Sequence, residues 1–405
     1  MSESINGLNI LPIHPFPARM APSIVWENLP IGSKPLRILD PMAGSGTTLV
    51  ITKARGHQAI GCDIDPLAVM IARAWCTNIE VEKLTKLAES ILRQAVERAD
   101  RLSLDTAYPP QADDETKQFI EFWFDDNNRI RLTALSDCIS QIENQNDKNI
   151  LFTAFSRLII TKISGVSLAM DVSHSRPHRK YEKAPINPFD KFLNAVDYII
   201  KKAPFRDNDL SLPPVHIIKG DARSIPIESD SIDLIITSPP YLNAIDYIRG
   251  HKLSLVWMGH LIKNLRAIRS NNIGTEYSLL TIENNEYSGI LSHIGDVSNM
   301  KSYGYNMIIH YLNDMGTAIS ECRRVLKGQG SAIFVIGNSA IHGIPVKNSE
   351  ALIRLAINRG FKLESMLSRS IPESKRYLPP PNSDTAGDKM STRMREEVIL
   401  KFVVV

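Results

Sequence analysis

Residues 36–56 read Leu-Arg-Ile-Leu-Asp-Pro-Met-Ala-Gly-Ser-Gly-Thr-Thr-Leu-Val-Ile-Thr-Lys-Ala-Arg-Gly. Leu36 to Asp40 is a short apolar run closed by an acid, which predicts a strand. Ala43 to Thr48 is a tight turn whose two glycines let backbone come close to a ligand. Leu49 to Arg55 predicts a helix stopped at Gly56. A second strand, Gln58 to Asp63, closes at Asp65-Pro66. There Asp65 suits an N-cap and Pro66 the first helical position, and the next helix runs to about Trp75. Strand, helix, strand, helix in this order predicts a parallel, doubly wound α/β sheet. Such sheets bind ligands at the carboxyl ends of their strands.

Working outward, the alternation stops after residue 80. Residues 81–205 read as helices over Leu84–Leu102, Thr116–Phe124, Arg129–Glu143, Ile150–Ile163 and Phe189–Lys202. Apolar residues recur at three and four, as in Leu87, Ile91, Leu92 and Val96. One basic, proline-broken loop, Ser173 to Tyr181, interrupts them. Strands resume at Val215–Ile218 and Leu234–Ile236. A helix over Tyr247–Leu261 precedes a polar, irregular stretch over 263–303. Helices at Tyr305–Leu326 and Ser349–Arg359 then alternate with strands at Ala332–Ile336, Phe361–Leu367 and Glu397–Val405. The expectation is a Rossmann-like sheet with a large helical insertion. Residues 1–80 form its cofactor half, 81–212 the insertion, and 213–405 the catalytic half.

The bulk numbers bound the function. The 405 residues carry a net charge of only +3, so a nucleic-acid surface must be a local patch. No apolar run is long enough to cross a bilayer, and Met1-Ser2-Glu3-Ser4 does not open a signal peptide. Cysteines 62, 76, 138 and 322 have no metal-ligand spacing, and a disulfide framework is not expected. These features point to a cytoplasmic protein with no membrane and no metal.

The Gly turn is not a P-loop, because no Lys follows its second Gly, and it lacks the third Gly of a dinucleotide fingerprint. Asp40 at the first strand's end can meet an ammonium group. Asp63 ends the second strand, where doubly wound folds hold ribose hydroxyls. Asp221, after the third strand, either accepts from an adenine amine or is a turn aspartate. An amino acid, a ribose and an adenine together describe S-adenosylmethionine. One strand further, residues 233–241 read Asp-Leu-Ile-Ile-Thr-Ser-Pro-Pro-Tyr. Two prolines cannot donate to a sheet, so the chain leaves it there with carbonyls free to accept. A hydroxyl, those carbonyls and an aromatic ring suit a planar heterocycle with an exocyclic amine.

On these residues the chain resembles the amino-methylating DNA methyltransferases, which modify N4 of cytosine or N6 of adenine. Their cofactor motif, Asp-Pro-Phe-x-Gly-Ser-Gly-Thr-Thr, is matched by residues 40–48 with Met42 in place of Phe. Their catalytic motif, Asp/Asn/Ser-Pro-Pro-Tyr/Phe, is matched by Ser238 to Tyr241. His14-Pro15-Phe16-Pro17-Ala18-Arg19 is similar to the family segment beside the cofactor's methionine end. The resemblance implies cofactor contacts from Phe16, Pro17, Asp40, Pro41, Ala43, Gly44, Ser45, Gly46, Thr47 and Thr48. It extends them to Asp63, Ile64, Asp221 and Ala222. It implies a catalytic turn of Ser238, Pro239, Pro240 and Tyr241.

The chemistry is sensible. An aromatic amine is a poor nucleophile because its lone pair is delocalised. Accepting its two N–H bonds at the Ser238 hydroxyl and the Pro239 carbonyl localises that pair. Tyr241 stacks on the base, and the methyl donor lies in line. The base must be flipped out of a duplex to reach such a turn. None of the four cysteines has the setting of a carbon-5 methylation nucleophile. Within the resembled family, serine rather than aspartate at 238 points to cytosine N4 over adenine N6.

For DNA, Asn243 and Asp246 either line the base pocket or, for Asp246, start the next helix. Arg176, Arg179 and Lys180, with His178, either neutralise phosphates or form a solvated charge run. Lys263, Arg266 and Arg269, and the segment Ser374–Pro381, are further candidates. The expected partners are duplex DNA and a cognate restriction endonuclease. The alternatives are an RNA base methyltransferase, a protein glutamine methyltransferase (which usually has Asn in place of Ser238) and an inactive DNA-binding module.

Overall fold

The structure, a computed structural model, describes residues 4–5, 8–17, 19–30, 34–207, 212–242, 246–274, 287–297, 300, 302–341, 344–371 and 396–405. Its centre is a seven-stranded sheet. The strands are β1 (Arg37–Asp40), β2 (Gln58–Asp63), β3 (Val215–Lys219), β4 (Ile232–Thr237), β5 (Leu326–Gly337), β6 (Phe361–Ser370) and β7 (Glu396–Val404). The spatial order is 3-2-1-4-5-7-6. Strands β1 to β5 run parallel, and β7 lies antiparallel between β5 and β6. The chain order reverses between β1 and β4, which places a crevice over their carboxyl ends.

Both faces of the sheet are covered, and the strand residues alternate between them. Ile38, Leu234, Ile236, Ile333 and Val335 point into one core. Leu39, Ile235, Phe334 and Ile336 point into the other. This period of two in nearly continuous apolar strands is what a sheet buried on both faces requires.

The first face carries α1 (Pro22–Asn28), α2 (Thr47–Ala54) and α3 (Pro66–Cys76). It also carries the insertion: α4 (Val81–Ala99), α5 (Asp114–Trp123), α6 (Asp126–Ser140), α7 (Gln145–Ile159) and α8 (Pro188–Lys202). The insertion has no separate core, for Phe155 and Phe192 share one buried cluster with Leu49, Trp75 and Trp257. Helix α9 (Tyr247–Leu255) belongs to this cluster too.

Two expectations need correction. The helix after the catalytic turn does not reach Leu261. It gives way to a 3-10 turn at Val256–Met258, and Gly259 in the left-handed region (φ 87°) ends it. The stretch over 263–303 is not irregular throughout, since it contains α10 (Ile262–Ser270) and α11 (Ser288–Ile294). Their apolar stripes are short: Ile262 and Leu265 on one, Ile290, Leu291 and Ile294 on the other, all buried. So narrow a stripe among polar residues gives a faint periodic signal. Helices α12 (Ser302–Val325) and α13 (Asn348–Ile357) complete the second face.

Candidate active site

The turn after β1 is built on backbone. The Ala43 N–H donates to the Cys62 carbonyl at 2.9 Å, and the Gly46 N–H to the Ala43 carbonyl at 2.9 Å. Gly44 and Gly46 have φ of 50° and 94°, a region that disfavours side chains. At Gly46 a Cβ would also sit 2.9 Å from the Ala72 Cβ. The Gly44 N–H donates to Asp63 Oδ2 at 2.7 Å, which ties this turn to the end of β2. The Thr48 hydroxyl donates to the Ile236 carbonyl at 3.3 Å, which ties it to β4. The Gly turn and the catalytic turn therefore leave the same edge of two adjacent parallel strands.

Three acids crowd this edge. Asp40 is 3 % exposed, and burial pushes its carboxyl up to about 6 against the pull of the Thr237 and Thr48 hydroxyls and the Met42 N–H. Burial, with repulsion from Asp65, pushes Asp63 up to about 7. The Ser45 hydroxyl is buried with no hydrogen-bond partner among the described residues. A cationic ligand carrying hydroxyls would relieve each of these costs, because a nearby positive charge favours both ionised carboxylates. Pro41, Ala43, Thr47 and Thr48 are buried along this turn, and Ile64 is half-buried beside Asp63.

Asp65 caps α3, accepting from the Leu67 N–H at 2.9 Å. It also pairs with His251 Nδ1 of α9 at 2.5 Å. The sequence reading found the cap and missed the histidine. Phe16 sits over this pair. Its ring is 5.6 Å from that of Tyr247 at an interplanar angle of 14°, and 5.1 Å from that of His251. A Cβ on Gly44 would lie 3.6 Å from Phe16 Cε1. Pro17 is buried next to it, while Ala18 lies outside the described residues. His14, whose partner the sequence did not give, bonds Ser156 of α7 through Nε2 at 3.0 Å and thereby fastens the lead-in segment to the insertion.

At the catalytic turn, the Ser238 hydroxyl donates to the Val335 carbonyl of β5 at 3.0 Å. A hydroxyl whose proton is committed presents its remaining lone pair as an acceptor. Tyr311 donates to the Pro240 carbonyl at 3.1 Å. Pro239 is buried, and Tyr241 is half-buried. Burial pushes the Tyr241 phenol up to about 12, so the ring stays neutral. Asn243 and the segment Ser374–Pro381 lie outside the described residues. Asp246 caps α9 through the Arg249 N–H at 3.2 Å and pairs with Arg269 Nε at 2.6 Å.

Asp221 stands apart from Asp40 and Asp63 in its partners. Arg223 reaches both of its oxygens, with Nη2 2.7 Å from Oδ2 and Nε 3.0 Å from Oδ1. The same guanidinium pairs with Asp314 at 2.7 Å. Burial pushes the Asp221 carboxyl up, but the bonds from Arg223 outweigh it and hold the group below the ordinary range. Ala222 is buried beside it. The adjacency Asp221-Ala-Arg223 was the available signal for this bracket.

The basic loop meets the start of α9. Arg176, His178, Arg179 and Lys180 are exposed, and His178–Arg179 pairs with Ala169–Met170 as a small ribbon. The Arg179 guanidinium lies 5.3 Å from the Phe122 ring centre. The other basic candidates are held by acids: Lys263 by Asp113 at 3.4 Å, Arg266 by Glu115 at 2.7 Å, and Arg269 by Asp246. They tie α10 to α5 and α9.

The profile of the N6- and N4-methylating DNA methylases matches residues 232–403, from β4 through the catalytic turn to β7. Over that segment the chain is similar to the amino-methylating DNA methyltransferases. The chain is 25% identical to the Type II methyltransferase M.MvaI of Kocuria varians over 427 residues, covering 96% of this chain and 89% of that one. It is 26% identical to M.AvaI of Nostoc sp. over 384 residues, covering 82% and 74%. Among solved structures, a TehB-like SAM-dependent methyltransferase from Corynebacterium glutamicum aligns with TM-score 0.28 and 9% identity, covering 92% and 83%. A SAM-dependent methyltransferase from Methanosarcina mazei aligns with TM-score 0.33 and 8% identity, covering 94% and 97%. The fold of this chain is given by its own strand order. S-adenosylmethionine is the cofactor of this enzyme family. Among the described residues, no helix is long and apolar enough to cross a membrane.

Proposed function

We propose that the enzyme methylates the exocyclic N4 of cytosine at a specific site in duplex DNA, with N6 of adenine as the alternative acceptor. The observation that carries the reading is the Ser238 hydroxyl at the end of β4, whose proton is committed to the Val335 carbonyl, so that its oxygen serves as an acceptor. In this reading Asp40 holds the cofactor's ammonium, Asp63 its ribose, and the Gly44–Gly46 turn its backbone-facing side. Phe16 covers the methionine end. Asp221, already bracketed by Arg223, contributes through a remaining lone pair or by shaping the turn.

S-adenosylmethionine, when bound, supplies an electrophilic methyl group on a sulfonium. The chain supplies everything else. Ser238 and the Pro239 carbonyl accept the two N–H bonds of the target amine and localise its lone pair. Tyr241 fixes the plane of the flipped base by stacking, a contact typically worth ~1–3 kcal/mol. The amine nitrogen would gain the methyl carbon as the methyl–sulfur bond breaks to leave a neutral thioether, and the displaced proton would pass to water. Arg176, Arg179 and Lys180 neutralise phosphates of the flanking duplex. Asp246 borders the base.

Residues 81–212 act as the recognition region between the cofactor half, 1–80, and the catalytic half, 213–405. A cognate restriction endonuclease is the proposed partner, a reading supported by relatives named Type II methyltransferases. Four buried free cysteines fit a reducing cytoplasm.

The test is transfer of a tritiated methyl group to duplex DNA and to tRNA in competition, followed by nucleoside analysis. N4-methylcytosine in DNA is the expected product. N6-methyladenine would move the acceptor, label in tRNA alone would move the substrate, and no label in either would overturn the reading.

A further inference from the structure

The catalytic helix α9 and the basic loop of the insertion come from segments about seventy residues apart, yet one side chain joins them. The Ser175 hydroxyl donates to the carbonyl of Asp246 and lies 3.2 Å from that of Tyr247. It accepts from the Gly250 N–H at 3.1 Å. Ser175 is only 5 % exposed, so these bonds are made away from water. The fit is close on the helix side as well. A Cβ on Gly250 would sit 2.7 Å from the Val172 carbonyl oxygen and 3.3 Å from Ser175 Cα.

The loop is shaped for this contact at a cost in backbone strain. Asp171 and Ser175, neither of them glycine, hold φ of 61° and 56° on either side of the 3-10 turn Val172–His174. Such a conformation persists only where the surroundings over-determine it. The surroundings do so here. The Ser173 N–H donates to the Thr161 carbonyl and the Asp171 N–H to the Lys162 carbonyl, both at 3.0 Å, anchoring the loop just past the end of α7. The residue after Ser175 is the exposed Arg176. At the other end of the contact, Asp246 lies five residues after Tyr241.

We infer that Ser175 is a positioning residue that clamps the basic loop to the first turn of α9, so that phosphate contact and placement of the target base are made by one rigid unit. The inference rests on the proposed DNA methylation and adds to it the element that aligns the two contacts. The clamp itself touches neither base nor phosphate. Its loss therefore lowers the rate of methyl transfer from the bound complex while leaving binding nearly intact, because charged side chains on a loosened loop still reach phosphates.

The experiment measures three quantities on the full chain: the single-turnover rate at saturating DNA, the DNA Kd at several salt concentrations, and S-adenosylmethionine affinity by calorimetry. The variants are Ser175→Ala, Ser175→Gly and Gly250→Ala, with Arg176→Ala for comparison. Ser175→Gly tolerates φ 56° without strain and guards against simple misfolding. The three clamp variants are expected to lose roughly tenfold or more in rate, with DNA Kd within about threefold and cofactor affinity within about twofold of the parent. Arg176→Ala is expected instead to weaken DNA binding and flatten its salt dependence. A Ser175→Gly enzyme with full rate overturns the inference, and so does one whose rate, DNA binding and cofactor affinity fall together. Failure of the parent enzyme to label DNA at all is a distinct result: it removes the proposed function and takes this inference with it.

Discussion

Asp65 and His251, 186 residues apart in sequence, are joined by a 2.5 Å hydrogen bond between the carboxylate and the ring Nδ1. Both are buried, at 6 % and 2 % exposure. One Asp65 oxygen closes the N-terminus of α3, and the other holds α9. The helix that follows the Ser238–Tyr241 turn is thus fastened to a residue two positions after Asp63. Removing the ring leaves a buried carboxylate oxygen unpaired. His251→Ala is therefore expected to destabilise the protein by about 2–3 kcal/mol. Urea denaturation checks this, and a loss below about 0.5 kcal/mol would show that water replaces the ring at no cost.

The raised carboxyls set a pH dependence. Asp40 and Asp63 stand at about 6 and about 7 in the cofactor-free protein, above their ordinary value of 3.8. The folded state therefore binds more protons than the unfolded state between these values. The two groups favour folding below the ordinary value, and that contribution is lost as pH rises through 6 and 7. Cofactor affinity should move the other way, since a bound cation selects the ionised acids. Affinity is expected to rise from pH 5.5 to pH 8, and Asp40→Asn to weaken it and flatten the rise. Calorimetry at the two pH values decides; equal affinities would mean that neither acid faces the cation.

Tyr241→Ala is expected to leave cofactor affinity unchanged and to slow methyl transfer by roughly ten- to a hundredfold, the size of one lost stacking contact. Tyr241→Phe keeps the ring face and should retain most of the rate. Unchanged turnover in the alanine variant would mean that the ring does not hold the base.

Gly46→Ala combines a φ of 94° with a 2.9 Å approach to the Ala72 Cβ. A cost of about 1–3 kcal/mol is expected from strain and overpacking, together with weakened cofactor binding. A thermal melt alongside a binding titration separates the two effects. A variant with parental melting and affinity would show that the turn can shift away from α3.

Arg179→Ala and Lys180→Ala should each weaken DNA binding across sequences and reduce the slope of log K against log salt by about 1. An unchanged slope would mark the loop as a solvated face.

The first two strands, their helices and both turns were legible as residues, because local spacing alone distinguishes a strand, a left-handed glycine turn and a capped helix. The short helices at 262–270 and 288–294 were not, since their burial comes from contacts with distant elements and leaves only two or three apolar positions each. The sites divide in the same way. Ser238 and Tyr241 sit in a contiguous motif. Ser175, His251 and Arg223 do not, for each acts on a partner whose position the chain folds into place.

The sequence by itself determined the doubly wound class, the Gly turn, the Ser-Pro-Pro-Tyr turn and the family resemblance, all of which depend on residue types at short spacing. Only the tertiary structure decided that Asp65 serves a histidine on α9, that Arg223 occupies Asp221, and that the insertion's loop is docked on α9. The physical reason is range. Backbone geometry and periodicity act over a few residues, whereas buried hydrogen bonds and charge pairs join groups the fold brings together and leave no periodic trace in the chain.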